Sequence, residues 1–295
     1  MLQKSLFLDQ LASKKHWLID GGIGTELERR GYRTTLPFWT ARAASENPEL
    51  LSKIYNEYLA AGCSILTTNT FRISWYLFER ADRGDEFFSL LDQACQMCQQ
   101  AGKAKGALIG GSMTTLEDCY RPDLVPATNV LQLYHEAQIS ALEKCSIDFI
   151  LAETINSIRE AEIILDICHR KRIPIVLSII SNGRSALLSG EKIIDLIDAI
   201  EAIKPEVLSI NCRPMNDIQH DVKIIKRHFD GFAGAYANAP GHPHPTCGWS
   251  PSEDAILQLR EFAIWSAEED IKIIGGCCGT NPQMLNEMSR ILKSR

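Results

Sequence analysis

Three of the ten cysteines end short apolar runs and could act together on a metal ion. Cys277 and Cys278 lie in "IIGGCCGT", and Cys212 ends "EVLSINC". A single cysteine at such a place is more often a small buried side chain than a ligand. Two adjacent cysteines between glycines are different, because the glycines let the backbone turn sharply and let bulky ligands approach closely. Three thiolates suit a tetrahedral zinc ion and leave its fourth position open, as in catalytic or substrate-binding sites.

Polar side chains close other apolar runs of the same kind. Asp20 precedes Gly21 and Gly22, and Glu153 ends "FILAE". A buried carboxylate is costly unless it has a cationic partner. Asp20 could simply start a turn with the two glycines that follow it, whereas Glu153 is harder to explain without such a partner. Together the two carboxylates could hold an ammonium group.

Eight apolar, β-branched runs recur along the chain, and segments with helical periodicity separate them. The runs cover residues 16–20, 64–70, 107–113, 148–154, 174–180, 206–212, 231–238 and 271–279. Nearly continuous apolar strands that alternate with helices predict a parallel sheet covered on its outside. Eight such units in 295 residues are typical of a (β/α)8 TIM-type barrel of the α/β class, here as a single domain. An open, doubly wound sheet is the alternative.

The barrel would bring the residues described above together. In this fold the site lies at the C-terminal ends of the strands, so a polar residue that ends a run faces a common pocket. Strands six and eight would lie on opposite sides of strand seven, which allows Cys212 to meet Cys277 and Cys278.

Capping residues mark several helix ends in the sequence. Asn47 and Pro48 predict one helix start, and Ser157 predicts another. A third helix is expected to open at Ser250 or Ser252.

Composition and charge exclude several functional classes. The formal net charge is −6, and no basic stripe of the kind that phosphate backbones require is present, so nucleic acid is not an expected partner. No run reaches the roughly 18 apolar residues that cross a bilayer, and the first 15 residues do not resemble a signal peptide. We therefore expect a cytoplasmic protein with reduced cysteines and no membrane partner. The sequence does not predict an oligomeric state.

Several motifs together resemble one known family. They are "DGGIGTELERRG", "ENPELLSKIYNEYLAAGCSILTTNTF", "LAETINSIREA", "SINC" and "GGCCGT", in this order between about residues 16 and 290. This combination resembles the homocysteine S-methyltransferase family, which includes S-methylmethionine-dependent and betaine-dependent enzymes and the homocysteine module of cobalamin-dependent methionine synthase.

The resemblance implies a fold, a cofactor and a set of site residues. Residues 1–295 would form one homocysteine-binding (β/α)8 barrel domain that transfers a methyl group to homocysteine and gives methionine. Cys212, Cys277 and Cys278 would bind zinc. The matched motifs place six further residues in the substrate pocket, where homocysteine would bind: Asp20, Gly21, Gly22, Asn69, Thr70 and Glu153.

The methyl donor is expected to be a small onium compound, S-methylmethionine first and S-adenosylmethionine second. Sulfonium and ammonium cations favour aromatic faces. Five aromatic residues lie close to predicted strand ends or their loops: Trp39, Phe71, Trp75, Tyr76 and Tyr236. Where the betaine enzymes carry a donor-contacting tyrosine after "TNTF", this chain has Arg72, which disfavours betaine. The loop "EDCYRPDLVP", residues 117–126, could also shape donor specificity.

Two other functions fit the same residues. The zinc thiolate site could methylate another thiol or a selenol instead of homocysteine. A non-catalytic barrel could use the three cysteines for zinc storage or redox sensing.

The remaining cysteines and histidines give weaker signals. Cys95 and Cys98 form a C-x-x-C pair, but they lie in a segment that reads as helix. His242, His244 and Cys247 lie in a Pro-rich loop after the seventh run, where a second metal site is a lesser possibility and a lid over the pocket is the simpler expectation. The candidate lid spans residues 234–251.

Overall fold

The computed structural model describes all 295 residues, and eight of its ten strands form one barrel. The strands are β1 (Trp17–Ile19), β2 (Ile65–Thr67), β3 (Leu108–Met113), β4 (Phe149–Ile155), β5 (Ile175–Ile179), β6 (Val207–Asn211), β7 (Phe232–Ala237), β8 (Gly241–His244), β9 (Gly248–Pro251) and β10 (Ile273–Gly276). The barrel order is β1-β10-β7-β6-β5-β4-β3-β2, with every neighbouring pair parallel. Each of the eight apolar runs coincides with one barrel strand, and only β4 extends past its run, by one residue, Ile155.

Pairing of β1 on both sides closes the sheet. Ile19 is in register with Ile65 of β2 on one side and with Gly275 of β10 on the other. The single-domain (β/α)8 barrel predicted from the sequence is therefore confirmed, and the open sheet is excluded. As expected, β7 lies between β6 and β10, so Cys212, which follows β6, and Cys277, which follows β10, lie on either side of the end of β7.

Twelve helices surround the barrel or cover its ends. They are α1 (Lys4–Ala12), α2 (Ile23–Arg29), α3 (Ala43–Glu46), α4 (Pro48–Ala60), α5 (Trp75–Arg80), α6 (Phe87–Lys103), α7 (Thr128–Lys144), α8 (Ile158–Lys171), α9 (Ile193–Ala199), α10 (Met215–His228), α11 (Ala255–Glu268) and α12 (Pro282–Lys293). No helix has the length and the apolar composition that crossing a membrane requires.

Two predicted helix starts are correct and one is wrong. The Asn47 side chain accepts a hydrogen bond from the Leu50 N–H at the start of α4, and the Ser157 hydroxyl caps α8. The third helix, α11, begins only at Ala255. Ser250 belongs to β9, and the Ser252 hydroxyl donates to the Asp254 carboxylate instead of capping the helix.

Apolar residues pack on both faces of the barrel sheet, inside the barrel and between the strands and the helices. A cluster of 69 buried residues packs the helices against the strands, and a second cluster of 12 fills the interior. Helix α1 contributes Phe7 and Leu11 to the interior cluster, and Phe7 stacks on Phe149 at the start of β4 with ring centroids 4.9 Å apart. Because α1 plugs the N-terminal end, the open end is the one at which the strands terminate.

The segment after β7 is not the irregular loop that its prolines suggested. Strands β8 and β9 form an antiparallel hairpin, in which Gly241 is in register with Pro251 and His244 with Gly248. Gly248 packs so closely on α2 that a Cβ atom there would lie 2.4 Å from the Glu28 carboxylate. The hairpin is thereby held against the mouth of the barrel.

Candidate metal and substrate site

A cavity of about 430 Å³ opens at the C-terminal ends of the strands. Three groups of predicted site residues line it: the cysteines Cys212, Cys277 and Cys278, the carboxylates Asp20 and Glu153, and the residues Gly21, Gly22 and Asn69. The barrel therefore brings together segments that lie far apart in the sequence.

The three cysteine sulfurs form the single group in the structure with metal-ligand spacing. All three Sγ atoms lie within 4.8 Å of one another, and those of Cys212 and Cys278 are 3.7 Å apart. Three sulfur donors this close can bind one metal ion.

Backbone hydrogen bonds across β7 fix the position of these cysteines. The Cys212 N–H donates to the Tyr236 carbonyl at 3.3 Å, and the Cys277 N–H donates to the Ala237 carbonyl at 2.7 Å. Cys212 has a φ of +57°, in the left-handed region that non-glycine residues seldom adopt. The surrounding contacts hold this backbone in a strained conformation, which turns the Cys212 side chain toward the other two cysteines.

Thr280 joins the two glycine-containing motifs at opposite ends of the chain. Its hydroxyl donates to the Cys277 carbonyl at 2.7 Å and accepts from the Gly22 N–H at 3.2 Å. The close approach requires glycines, because a Cβ at Gly22 would lie 2.6 Å from the Cys277 carbonyl oxygen. A Cβ at Gly276 would lie 2.2 Å from the Thr280 hydroxyl. The glycines of both motifs therefore allow the close backbone contacts that hold Cys277 and Cys278 in place.

The three thiols influence one another strongly. Hydrogen bonds from Cys277 and Cys278 hold the pKa of the Cys212 thiol well below its ordinary value. The pKa of the Cys277 thiol is raised well above its ordinary value, because its hydrogen bonds with Cys212 and Cys278 favour the protonated form, and burial and repulsion from the Cys212 thiolate add to this effect. Only a bound cation would let all three ionise together.

Asp20 and Glu153 form the acidic part of the cavity. The Asp20 carboxylate accepts hydrogen bonds from the Thr67 N–H at 2.9 Å and from the Thr67 hydroxyl at 3.0 Å. The Glu153 carboxylate accepts from the Ser112 hydroxyl at 2.5 Å and from the Tyr236 hydroxyl at 3.4 Å. Burial raises the pKa of Asp20 well above its ordinary value and raises the pKa of Glu153 to about 7. Neither carboxylate forms an ion pair within the protein, so an external cation would be favoured here.

Thr70 is the one predicted substrate residue that does not reach the cavity. Its side chain is fully buried behind the wall, where the hydroxyl donates to the Ser112 carbonyl at 2.6 Å. Asn69 does line the cavity, although its side-chain amide also donates to the Thr40 carbonyl at 2.9 Å.

The aromatic candidates divide into two groups. Trp39, Phe71 and Tyr236 line the cavity, and so does Arg72. Trp75 and Tyr76 lie outside it and pack on Tyr134, with ring centroids 5.8 Å and 5.0 Å away. Helix α5 directs these two rings toward α7 rather than toward the strand ends.

Two aromatic residues in the cavity were not predicted individually. The Tyr120 hydroxyl lies 3.2 Å from the Cys212 sulfur, and Trp249 lines the cavity from β9. The Asn156 side chain donates to the Cys119 carbonyl at 3.0 Å and so helps to hold the loop that carries Tyr120. This loop is the 117–126 segment that stood out in the sequence, but nothing there distinguished its tyrosine.

The weaker sequence signals do not assemble into a second metal group. Cys95 and Cys98 are buried in α6 as part of the hydrophobic core. His242 and His244 lie on β8, and Cys247 lies at the turn of the hairpin. Only Cys212, Cys277 and Cys278 have side-chain ligand atoms grouped at metal-binding distances.

The chain is similar in sequence to proteins of one family. The homocysteine S-methyltransferase family model matches residues 17–292. Homocysteine S-methyltransferase 1 of Arabidopsis thaliana is 26% identical, over 99% of both chains. Betaine–homocysteine S-methyltransferase 1 of Rattus norvegicus is 25% identical, over 97% of this chain and 74% of that protein.

A solved structure shares the fold. The metallated form of the homocysteine methyltransferase MmuM from Escherichia coli superposes with a TM-score of 0.83 at 21% identity, over 96% of this chain and 98% of that one. The family resemblance and the methyltransferase class predicted from the motifs are confirmed, and the chain belongs to the homocysteine S-methyltransferase family.

Proposed function

We infer that this family member transfers a methyl group from a small onium donor to the sulfur of homocysteine and so forms methionine. S-methylmethionine is the first candidate donor and S-adenosylmethionine the second. The observation that carries the proposal is one cavity lined by a three-cysteine group and by two buried carboxylates without cationic partners. We assign homocysteine binding to the barrel as a whole, residues 1–295.

We further propose that Cys212, Cys277 and Cys278 hold a zinc ion. Zinc–sulfur bonds of about 2.3 Å in a tetrahedron separate two sulfurs by about 3.8 Å. The 3.7 Å between the Cys212 and Cys278 sulfurs fits this spacing without rearrangement. An all-sulfur set also favours zinc over the hard cations that prefer oxygen ligands. When bound, zinc would keep the substrate thiol in its nucleophilic thiolate form at neutral pH.

The carboxylates would bind the amino acid end of homocysteine. Asp20 and Glu153 would attract the ammonium group and so orient the substrate sulfur toward the three cysteines. Gly21, Gly22 and Asn69 border the same space, whereas Thr70 would support the wall from behind. Holding the nucleophile in a fixed place next to the donor lowers the entropic part of the barrier.

The transfer itself needs little else from the chain. The homocysteine sulfur gives an electron pair to the methyl carbon, the bond between that carbon and the donor's onium atom breaks, and its electron pair stays on the donor. A sulfonium donor thereby becomes a neutral thioether. No proton moves in this step, so no general base is required from the protein.

The aromatic side chains of the cavity would stabilise the onium centre. Trp39, Phe71 and Trp249 offer π faces that attract sulfonium and ammonium cations. We place the reaction in the cytoplasm, because the site needs three reduced thiols and cytosolic conditions keep thiols reduced.

A donor and acceptor screen tests the proposal. Zinc-loaded protein is incubated with homocysteine and with S-methylmethionine, S-adenosylmethionine or betaine, and methionine is measured by mass spectrometry. We expect the highest kcat/KM with S-methylmethionine. Faster methylation of an unrelated thiol or selenol, or tight zinc binding without any methyl transfer, would reject it.

A further inference from the structure

Arg72 is the only basic residue that lines the cavity. It follows Phe71 in the segment after β2, and it is partly buried. Its Nε–H donates to the Pro37 carbonyl at 3.2 Å, and no carboxylate oxygen lies within 4.0 Å of the guanidinium. The cavity thus contains one arginine that has no anionic partner in the protein.

Two acidic side chains of the 117–126 loop, Glu117 and Asp118, accept hydrogen bonds from groups other than Arg72. Glu117 accepts a hydrogen bond from the Tyr76 hydroxyl at 2.6 Å, and Asp118 accepts one from the Tyr120 N–H at 2.9 Å. A guanidinium has five N–H donors in a planar fork, and only one of those of Arg72 has a partner in the protein. The free donors match a carboxylate, which an arginine can bind through two parallel hydrogen bonds.

Arg72 makes different contacts from the two carboxylates that would bind the ammonium group. No hydrogen bond or ion pair joins it to Asp20 or Glu153, whose partners come from β2, β3 and β7. Its neighbours are instead Phe71 and the segment that carries Trp39, and these two rings meet edge to face with centroids 6.2 Å apart. These are the aromatic side chains that suit an onium donor.

We propose that Arg72 binds a carboxylate of the methyl donor, so that the donor is an onium compound with an anionic end. The inference rests on the proposed function, because it assigns the donor of the same reaction. A cation repels the onium centre itself, so the carboxylate must be separated from that centre by a spacer. Such a spacer favours S-methylmethionine, with three carbons between sulfur and carboxyl carbon, over betaine, with one.

A purely supporting role for Arg72 makes a different prediction. Through Pro37, Arg72 holds the segment that carries Trp39 into the cavity. If that were its only task, losing the guanidinium would impair every donor alike. A carboxylate-binding role impairs only those donors that have a carboxylate.

The test compares two donors in the full-length, zinc-loaded enzyme. One is S-methylmethionine, and the other is (3-aminopropyl)dimethylsulfonium, the same molecule without its carboxylate. Arg72→Gln should lower kcat/KM about 100-fold with S-methylmethionine, which corresponds to losing a charge-assisted pair of hydrogen bonds. It should change kcat/KM less than about threefold with the decarboxylated donor. Arg33→Gln, which removes an exposed arginine outside the cavity, is the control and should affect neither.

Each contrary result has a distinct meaning. An equal loss with both donors, or no loss with either, overturns the proposal. A loss that disappears when homocysteine is replaced by 3-aminopropanethiol would assign Arg72 to the acceptor's carboxylate and would also overturn it. If wild-type enzyme transfers no methyl group from any donor, the proposed function fails. Calorimetric binding of S-methylmethionine to wild type and to Arg72→Gln then tests Arg72 by itself, and equal affinities would overturn its role.

Discussion

The sulfur atoms of Cys212 and Cys278 lie 3.7 Å apart, although 66 positions separate the two residues in the sequence. The barrel makes this contact, because β7 separates β6 from β10 and hydrogen-bonds to both. A bound metal ion at this place would tie the end of β6 to the end of the last strand.

Metal removal should abolish activity without unfolding the barrel. The two hydrophobic clusters, of 69 and 12 buried residues, do not depend on a metal, so chelator-treated protein should keep its far-UV circular dichroism spectrum. Methyl transfer should be lost and should return with zinc but not with magnesium, because thiolates bind hard cations weakly. Full activity of the chelated, metal-free protein would show that methyl transfer does not need a metal.

Glu153 should give homocysteine binding a pH dependence. Burial raises the pKa of its carboxyl to about 7, so the group becomes neutral as pH falls through that value. Only the ionised form attracts the substrate ammonium, and kcat/KM for homocysteine should therefore fall below about pH 7. Glu153→Gln should weaken homocysteine binding about tenfold or more and should remove this pH dependence.

A substrate analogue separates this effect from changes at the metal. Glu153→Gln should hardly affect 4-mercaptobutanoate, which is homocysteine without its amino group. Zinc content is measured at each pH as a control. An equal penalty with both thiols would assign Glu153 to the architecture of the cavity instead of to the ammonium group.

Thr280 should act as a positioning residue for the cysteine group. Thr280→Val removes the hydroxyl that bridges the Gly22 N–H and the Cys277 carbonyl, and we expect zinc affinity to fall about ten- to a hundredfold. Thr280→Ser keeps the hydroxyl and should bind zinc with nearly the affinity of the wild-type protein. Competition with a chromophoric chelator measures both variants, and a normal zinc affinity in Thr280→Val would contradict this role.

Gly279 should tolerate alanine less well than another glycine with a similar backbone. Gly279 and Gly106 have φ values of +77° and +67°, so an alanine at either position costs about 1–2 kcal/mol. A Cβ at Gly279 would also lie 2.2 Å from the Trp249 ring, whereas nothing lies within 4 Å of one at Gly106. Gly279→Ala should therefore unfold at lower urea concentration than Gly106→Ala and should weaken donor binding. Equal urea unfolding midpoints for the two variants would show that the Trp249 side chain can move away from the new Cβ at little cost.

The strand ends were predictable because periodicity and residue type both mark them. The glycines on either side of Cys277 and Cys278 distinguished these cysteines from the buried Cys95 and Cys98. Position at a strand end does not fix the direction of a side chain. Thr70 therefore turned out to face the barrel wall.

Contacts between segments that lie far apart in the chain could not be predicted from the sequence. Thr280 gains its role only where β10 meets the segment after β1, and Tyr120 reaches Cys212 across 92 positions. Trp75 and Tyr76 lie close to β2 in sequence, but α5 carries them to Tyr134. The hairpin β8–β9 was not predicted, because Pro243 and Pro251 are more typical of a loop than of a strand.

The zinc content per chain shows whether Cys212, Cys277 and Cys278 bind the metal. Wild-type protein, Cys278→Ser and Cys247→Ser are purified under reducing conditions, loaded with zinc, dialysed and measured by inductively coupled plasma mass spectrometry. We expect about one zinc per chain in wild type and in Cys247→Ser, whose cysteine lies outside the metal group, and a large loss in Cys278→Ser. Undiminished zinc in Cys278→Ser, or wild-type protein that cannot be loaded, would contradict this assignment.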